Sequence, residues 1–276
     1  MVKSRMSNLS DIPQLSQTSL CRENRYKKPI RIAVIDDGLI PEFIPNSVNI
    51  CHYFTYIQRI VDDSNEGLLI IDEEDVTEFT SDLIKKGNGP ETSDQIFGYD
   101  FALGRCRSGA HGTCVVHTIL NYCEDIPVEF DIYDVFDEYG SSSGTVLVEV
   151  IKDILNRDID IAVMSLTCSR EYEKEFLKLR KSVLEKGIII LCSASNDGKD
   201  LCPSYLDYIY GVDGDDSLTF GEYTFDIERK YQFSCNTLTE IINCGNEKIP
   251  FSGTSKATAV IGGILAHYLY KQRENG

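Results

Sequence analysis

I-R-I-A-V-I-D-D-G occupies residues 30–38. From Ile32 to Ile35 the run is apolar and mostly β-branched, with no polar alternation, so a strand built from it buries both faces. Asp36-Asp37-Gly38 then closes it as a turn would. This is the pattern of an interior parallel strand. Comparable runs recur at V-E-F-D-I-Y-D-V-F (128–136), D-I-A-V-M-S-L (160–166) and G-I-I-I-L-C-S-A (187–194). Helical patterns separate them, T-V-L-V-E-V-I-K-D-I-L (145–155) and Y-E-K-E-F-L-K-L-R-K-S-V-L-E-K (172–186), the second ending at Gly187. Strand and helix alternate, which predicts an α/β fold: a doubly wound, mostly parallel sheet flanked by helices in a single domain.

Bulk properties agree with a globular chain. Its 276 residues suffice for one large core, and 42% hydrophobic with 26% charged residues is ordinary composition. No apolar run approaches the roughly 20 residues of a membrane span, and the first residues carry Lys3 and Arg5 but no continuous apolar core, so no secretory signal is read there. Ten cysteines without a C-x-x-C pair read as reduced thiols, Cys192 within a buried strand among them, and the chain is expected to be cytoplasmic. A structural zinc site is the lesser reading, since ligand spacing is lacking. The net charge of −17 argues against nucleic acid, whose binding needs Lys and Arg on phosphates, and suits either simple solubility or attraction of cationic peptides. Neither nucleic acid nor membrane is an expected partner.

Two segments depart from the α/β rhythm. Residues 1–28 are polar and weakly patterned, as for a mobile N-terminal arm or a short pro-segment; residues 29–276 form the expected domain. Between Asp62 and Asp82 stand nine acidic residues and no basic one, marking an acidic insertion around 58–97, with Leu68–Ile71 able to form a short hairpin edge or a helix.

Open α/β sheets place their sites at the carboxyl ends of the strands. There the sequence puts Asp36 (V-I-D-D-G), Ser165 (V-M-S-L) and Asn196 (C-S-A-S-N-D-G). The stretch S-G-A-H-G-T-C-V-V-H-T-I-L (108–120) sets His111 at the start of a helical pattern, between Gly109 and Gly112, which permit close backbone approach. F-S-G-T-S-K-A-T (251–258) sets Ser255 before an apolar helix, either as an N-cap or as a nucleophile in the field of a helix N-terminus. Any one of these motifs reads equally as a turn or a helix start.

In this order the four motifs resemble those of the subtilisin-like serine proteases (subtilases). V-I-D-D-G is similar to that family's aspartate motif and H-G-T-C-V-V-H-T-I to its histidine motif. C-S-A-S-N-D-G matches the strand bearing its oxyanion asparagine, and S-G-T-S-K-A-T its serine motif. The resemblance spans residues 29–271. It implies a serine endopeptidase with Ser255 as nucleophile, His111 as general base and acid, Asp36 orienting the imidazole, and Asn196 as oxyanion donor. It further implies substrate-binding segments Ser165-Leu166-Thr167-Cys168 and Ser193-Ala194-Ser195, a peptide or protein substrate, no required cofactor, and a structural calcium whose ligands no motif assigns. His117 and His267 read as structural.

Departures from the family pattern bear on specificity. Lys256 and Ala259 stand where the family carries Met and Pro; Lys256 either packs its stem and reaches solvent or pairs with an acid such as Asp197. Thr167, Cys168 and Ser169 replace cleft glycines, which suggests a narrower cleft, and Ser195 replaces the glycine before the asparagine. The expected enzyme is therefore an intracellular processing protease with one or a few substrates, such as a precursor peptide losing its leader, and with basic residues favoured near the cut. A catalytically silent peptide-binding homologue and a general degradative protease are the rivals.

Overall fold

The computed structural model describes residues 8–17, 28–40, 43–56, 59–61, 68–70, 76–80, 109–123, 126–136, 140–244 and 247–275. Its centre is a nine-stranded sheet. In chain order the strands are β1 (Ile30–Asp36), β2 (Asn49–Tyr56), β5 (Val76–Thr80), β6 (Val128–Asp134), β7 (Ile161–Met164), β8 (Ile189–Ser193), β9 (Tyr210–Gly214), β10 (Tyr223–Phe225) and β11 (Phe233–Cys235), arranged β10-β11-β9-β8-β7-β1-β6-β2-β5. The interior pairs from β11 to β2 are parallel, and β10 and β5 close the edges antiparallel. Two hairpins lie outside it: β3 (Arg59–Val61) with β4 (Leu68–Ile70), and β12 (Glu240–Cys244) with β13 (Glu247–Phe251). The apolar run beginning at Leu68 thus takes the hairpin alternative. Most of the acidic 58–97 segment, Asp62 and Asp82 included, lies outside the described residues, as do Cys21 and Cys106.

β1 shows why the opening run is apolar throughout. Ile30, Ile32 and Val34 enter the core on one face, beneath α2 (Ala110–Tyr122) and α5 (Gly253–Asn275). Ala33 and Ile35 enter the core on the other, beneath α3 (Gly144–Leu155) and α4 (Glu173–Lys186). Ser143 caps α3 through Val146 N–H at 3.2 Å, and Gly187 stops α4 in the left-handed conformation, as its sequence predicts. The chain leaves β1 toward β2, inserts β6 between them, then crosses to β7 on the opposite side of β1. This reversal of direction opens a crevice at the carboxyl end of β1, where Asp36 stands.

Part of the segment expected to be a mobile arm is docked. Residues 9–11 form a 3-10 turn and Pro13–Gln17 the short helix α1. Ile12 is 0% exposed, and the Gln14 Oε1 accepts a 2.6 Å hydrogen bond from Tyr210 Oη at the start of β9. Tyr210 sits at the amino end of its strand, opposite the edge that carries Asp36, so these residues brace the back of the sheet. The eight described cysteines are all free thiols. No helix among the described residues is long and apolar enough to cross a membrane.

Candidate active site

Asp36 ends β1 and is 1% exposed; His111 occupies the first turn of α2. Their side chains meet with His111 Nδ1 2.7 Å from Asp36 Oδ1. The imidazole is far more open than its partner, 37% against 1%, so one edge is anchored in the fold and the other is free to work. Phe251, the last residue of β13, packs edge-on against the ring at 5.2 Å. Burial draws the imidazole's pKa down, but the Asp36 charge, its hydrogen bond and the nearby Asp37 outweigh this and raise it to about 9.

The contact between β1 and α2 is made by backbone. Gly109 precedes the helix at φ +85°, with its Cα against the Leu39 carbonyl, where a Cβ would lie 2.6 Å from that oxygen. At Gly112 a Cβ would lie 2.1 Å from the Gly38 carbonyl oxygen. Thr113 Oγ1 accepts from Ile40 N–H at 2.9 Å and donates to the Gly109 carbonyl at 2.5 Å. Asp37 accepts from Gly112 N–H at 2.8 Å and from His111 N–H at 3.4 Å. The two glycines flanking His111 were legible as points of close approach. Asp37 and Thr113 were not singled out, although the D-D-G doublet and the threonine two places after the histidine were visible.

Asn196 follows β8 and is exposed. Its Oδ1 accepts the Thr254 N–H at 3.0 Å, and the Thr254 hydroxyl donates to the Ala194 carbonyl at 2.7 Å. Thr254 is the first residue after the glycine that opens α5, and Ser255 follows it, so both reach the Asn196 edge of the sheet. Ser255 Oγ donates to the Ser165 carbonyl at 3.4 Å, and no hydrogen bond joins it to His111. A change of one staggered rotamer redirects that hydroxyl.

The other expected substrate-binding residues divide by exposure. Ser165, Thr167 and Ser195 are half-buried, with Ser195 Oγ donating to Asp197 at 2.5 Å. Leu166, Ser193 and Ala194 are buried, and the Ala194 N–H is spent on Val212. Cys168 and Cys202 exchange backbone hydrogen bonds of 2.7 and 3.1 Å, tying the segment after β7 to the loop after β8. Beside them opens a cavity of about 670 Å³ lined by Thr167, Cys168, Arg170, Lys199 and Asp200.

Lys256 follows neither course expected of it. It is 1% exposed, and its Nζ donates to the Leu238 carbonyl at 2.7 Å and to Asn236 Oδ1 at 3.2 Å, 4.6 Å from the Phe220 ring centroid. Asp197 instead pairs with Lys199. One residue along a helix turns the side chain by about 100°, so Ser255 at the cleft puts its neighbour into the interior. Burial lowers the Lys256 pKa, with Glu240, Cys235 and Asp216 opposing. Cys114 sits one turn below His111, 2% exposed and packed against Cys244. The Cys114 thiol donates to Cys244 and, with His117 beside it, draws Cys244 down to about 5 against the cost of burial. His117 Nε2 bonds the Phe43 carbonyl at 2.7 Å and is structural in its contacts.

Asp36, Asp37 and His111 hold three donor atoms within 4.8 Å of one another. Their hydrogen bonds account for that closeness, with Asp36 on the imidazole and Asp37 on helix amides. Comparison with solved structures gives the architecture its name. The prenylagaramide maturation protease PagA superposes with a TM-score of 0.58 over 96% of this chain and 83% of its own, at 18% identity. The protease domain of PatA, solved as a serine-to-alanine variant, superposes with a TM-score of 0.56 over 92% of this chain and 84% of its own, also at 18% identity. The fold is subtilisin-like. No protein-family model matches the sequence, and no curated protein matches it. Within the subtilisin-like fold, the expected mostly parallel sheet and single domain are both present.

Proposed function

We propose that the protein is a serine endopeptidase that cleaves a peptide precursor through an acyl-enzyme on Ser255. The observation that carries this reading is the 2.7 Å bond between the open imidazole of His111 and the buried Asp36 at the carboxyl end of β1. Ser255 Oγ attacks the scissile carbonyl carbon while His111 Nε2 takes its proton. Asp36 holds the tautomer with the proton on Nδ1 and stabilises the imidazolium. The oxyanion is met by Asn196 Nδ2 and by the Ser255 N–H, one of the amides that the first turn of α5 leaves unpaired. His111 then protonates the leaving amine, and water repeats the sequence in reverse to free Ser255. The groups that act are all the protein's own.

Specificity is proposed to be narrow. The Cys168–Cys202 backbone bridge closes one wall of the cleft and leaves the cavity beside Thr167 as the opening for a substrate side chain. PagA is a maturation protease, which favours the processing of a precursor peptide over general degradation. A net charge of −17 favours basic residues near the cut.

The test is a fluorophosphonate probe, followed by mass spectrometry of a proteome-derived peptide library. Labelling at Ser255 that Ser255→Ala abolishes, with few cuts enriched in Lys or Arg, is the expected result. A native protein that stays unlabelled returns the chain to the silent peptide-binding alternative. Cuts at many unrelated sites point to a degradative protease.

A further inference from the structure

We propose that Asp37 is the positioning residue of the acid–base pair: its carboxyl caps the first turn of α2 and so holds His111 on Asp36. This rests on the protease reading for what His111 does, though not for where it is held. Helix α2 has no capping side chain of its own, because its N-cap is Gly109. The amides at a helix start need acceptors, and here the acceptor comes from the end of β1, 75 residues earlier in the chain than Gly112. Asp37 Oδ1 takes the Gly112 N–H at 2.8 Å, and Oδ2 lies 3.4 Å from the His111 nitrogen itself. One carboxyl is thus bonded to the backbone of the residue whose side chain is bonded to the preceding carboxyl. The consecutive acids grip His111 at both ends, Asp36 by the ring and Asp37 by the main chain.

Burial and the neighbouring Asp36 charge hold the Asp37 carboxyl well above the usual carboxylate range, while His111 and the Gly112 N–H pull it the other way. Other ionisable groups near the pair are Asp134 from β6, Tyr53 from β2, Cys114 from α2 and, beyond it, Cys244 from β12. Phe251 of β13 presents only a ring edge, and Lys256 of α5 is turned away toward Leu238. Asp37 alone among these bonds the His111 main chain.

The test uses the full chain with Asp37→Ala, which removes the capping oxygen, and Asp37→Asn, which keeps one. With only four histidines in the chain, the His111 ring is assigned by its loss in His111→Gln and titrated by nuclear magnetic resonance. In Asp37→Ala, with His111 released from Asp36, its proton affinity is expected to fall at least about threefold and the high-pH plateau of fluorophosphonate labelling at least about tenfold per folded molecule, since a small displacement of the base is costly. Asp37→Asn is expected to recover most of both losses. Should Asp37→Ala not fold, Asp37→Ser takes its place. A folded Asp37→Ala, or Asp37→Ser in its place, whose His111 midpoint lies within about 0.1 unit of the parent overturns the inference. So does a folded Asp37→Ala that labels at the parental plateau. A parent that never labels sinks the protease reading instead and leaves the titration test standing.

Discussion

Replacing Gly112 by alanine opposes two physical effects of known sign. In a helix interior alanine is favoured over glycine by about 1 kcal/mol, so propensity alone predicts a more stable protein. The site predicts the reverse. The new Cβ would stand 2.1 Å from the Gly38 carbonyl oxygen and 3.2 Å from the Asp36 Cβ, and the first obstacle is backbone that no rotamer change moves. To reach the 3.0 Å floor of real Cβ contacts, α2 must retreat from β1 by about 0.9 Å. That retreat starts from a 2.7 Å His111–Asp36 bond and carries it beyond the roughly 3.2 Å limit of a sound N–H···O contact. Overpacking costs about 1–3 kcal/mol and the charge-assisted bond about 1.5–3, so the net loss after the helix gain is roughly 1.5–5 kcal/mol. A displacement of this size in a catalytic base lowers turnover by about 10²-fold. Calorimetry gives the first quantity, and the second-order rate of fluorophosphonate labelling followed by intact mass gives the second. A Gly112→Ala protein that melts at or above the parent and labels within about twofold of it refutes the reasoning.

Four further expectations are independent of it. Because His111 is held at about 9, the base is largely protonated at neutral pH, so labelling should climb with pH until about 9, and a plateau already reached at pH 7 would contradict this. Asn196→Ala should leave the fold intact and lower turnover about 10²–10³-fold with little change in KM, whereas equal losses in both would mean that Asn196 serves binding instead. Burial beside the Asp36 charge lifts Asp134 to about 7; the folded state therefore binds that proton more tightly than the unfolded chain, and stability falls as pH rises from the ordinary carboxylate range to about 7. Asp134→Asn should remove this slope and gain about 1–3 kcal/mol at pH 8 but not at pH 4, as urea melts at the two values would show. Ile12→Ala, in the docked N-terminal segment, should cost about 2–4 kcal/mol while leaving the labelling rate per folded molecule unchanged.

Much of the architecture was legible because a strand buried on both faces has a simple signature. β1, β6, β7 and β8 each stand out as apolar runs, and Gly187 punctuates one of the helices between them. The strands after residue 210 have no such signature: β10 and β11 are three residues each, and β12 alternates short exposed and buried positions. Asp36, His111, Asn196 and Ser255 could be proposed only as a set, because each alone sits where a strand or helix meets a turn and reads equally as a cap. Asp37 could not be proposed, since its partners exist only once α2 docks on β1. The fate of Lys256 depends on Asn236, Leu238 and Phe220, in irregular loops whose path no periodicity reports. Residues 8–17 lack a helical stripe long enough to announce burial, yet Ile12 and Leu15 enter the core.

The seam between β1 and α2 has a consequence for how this protein can vary. Leu39 and Ile40 lie against Gly109 and Thr113 through backbone and hydroxyl contacts that involve none of the intervening chain. The two ends of that long excursion are therefore riveted together beside the site. Lengthening a connection whose ends are already joined costs only about 0.6 kcal/mol per doubling, and none of it falls on the alignment of imidazole and carboxylate. A change of length in that span, outside β5 and the hairpin of β3 with β4, is thus expected to leave the chemistry in register.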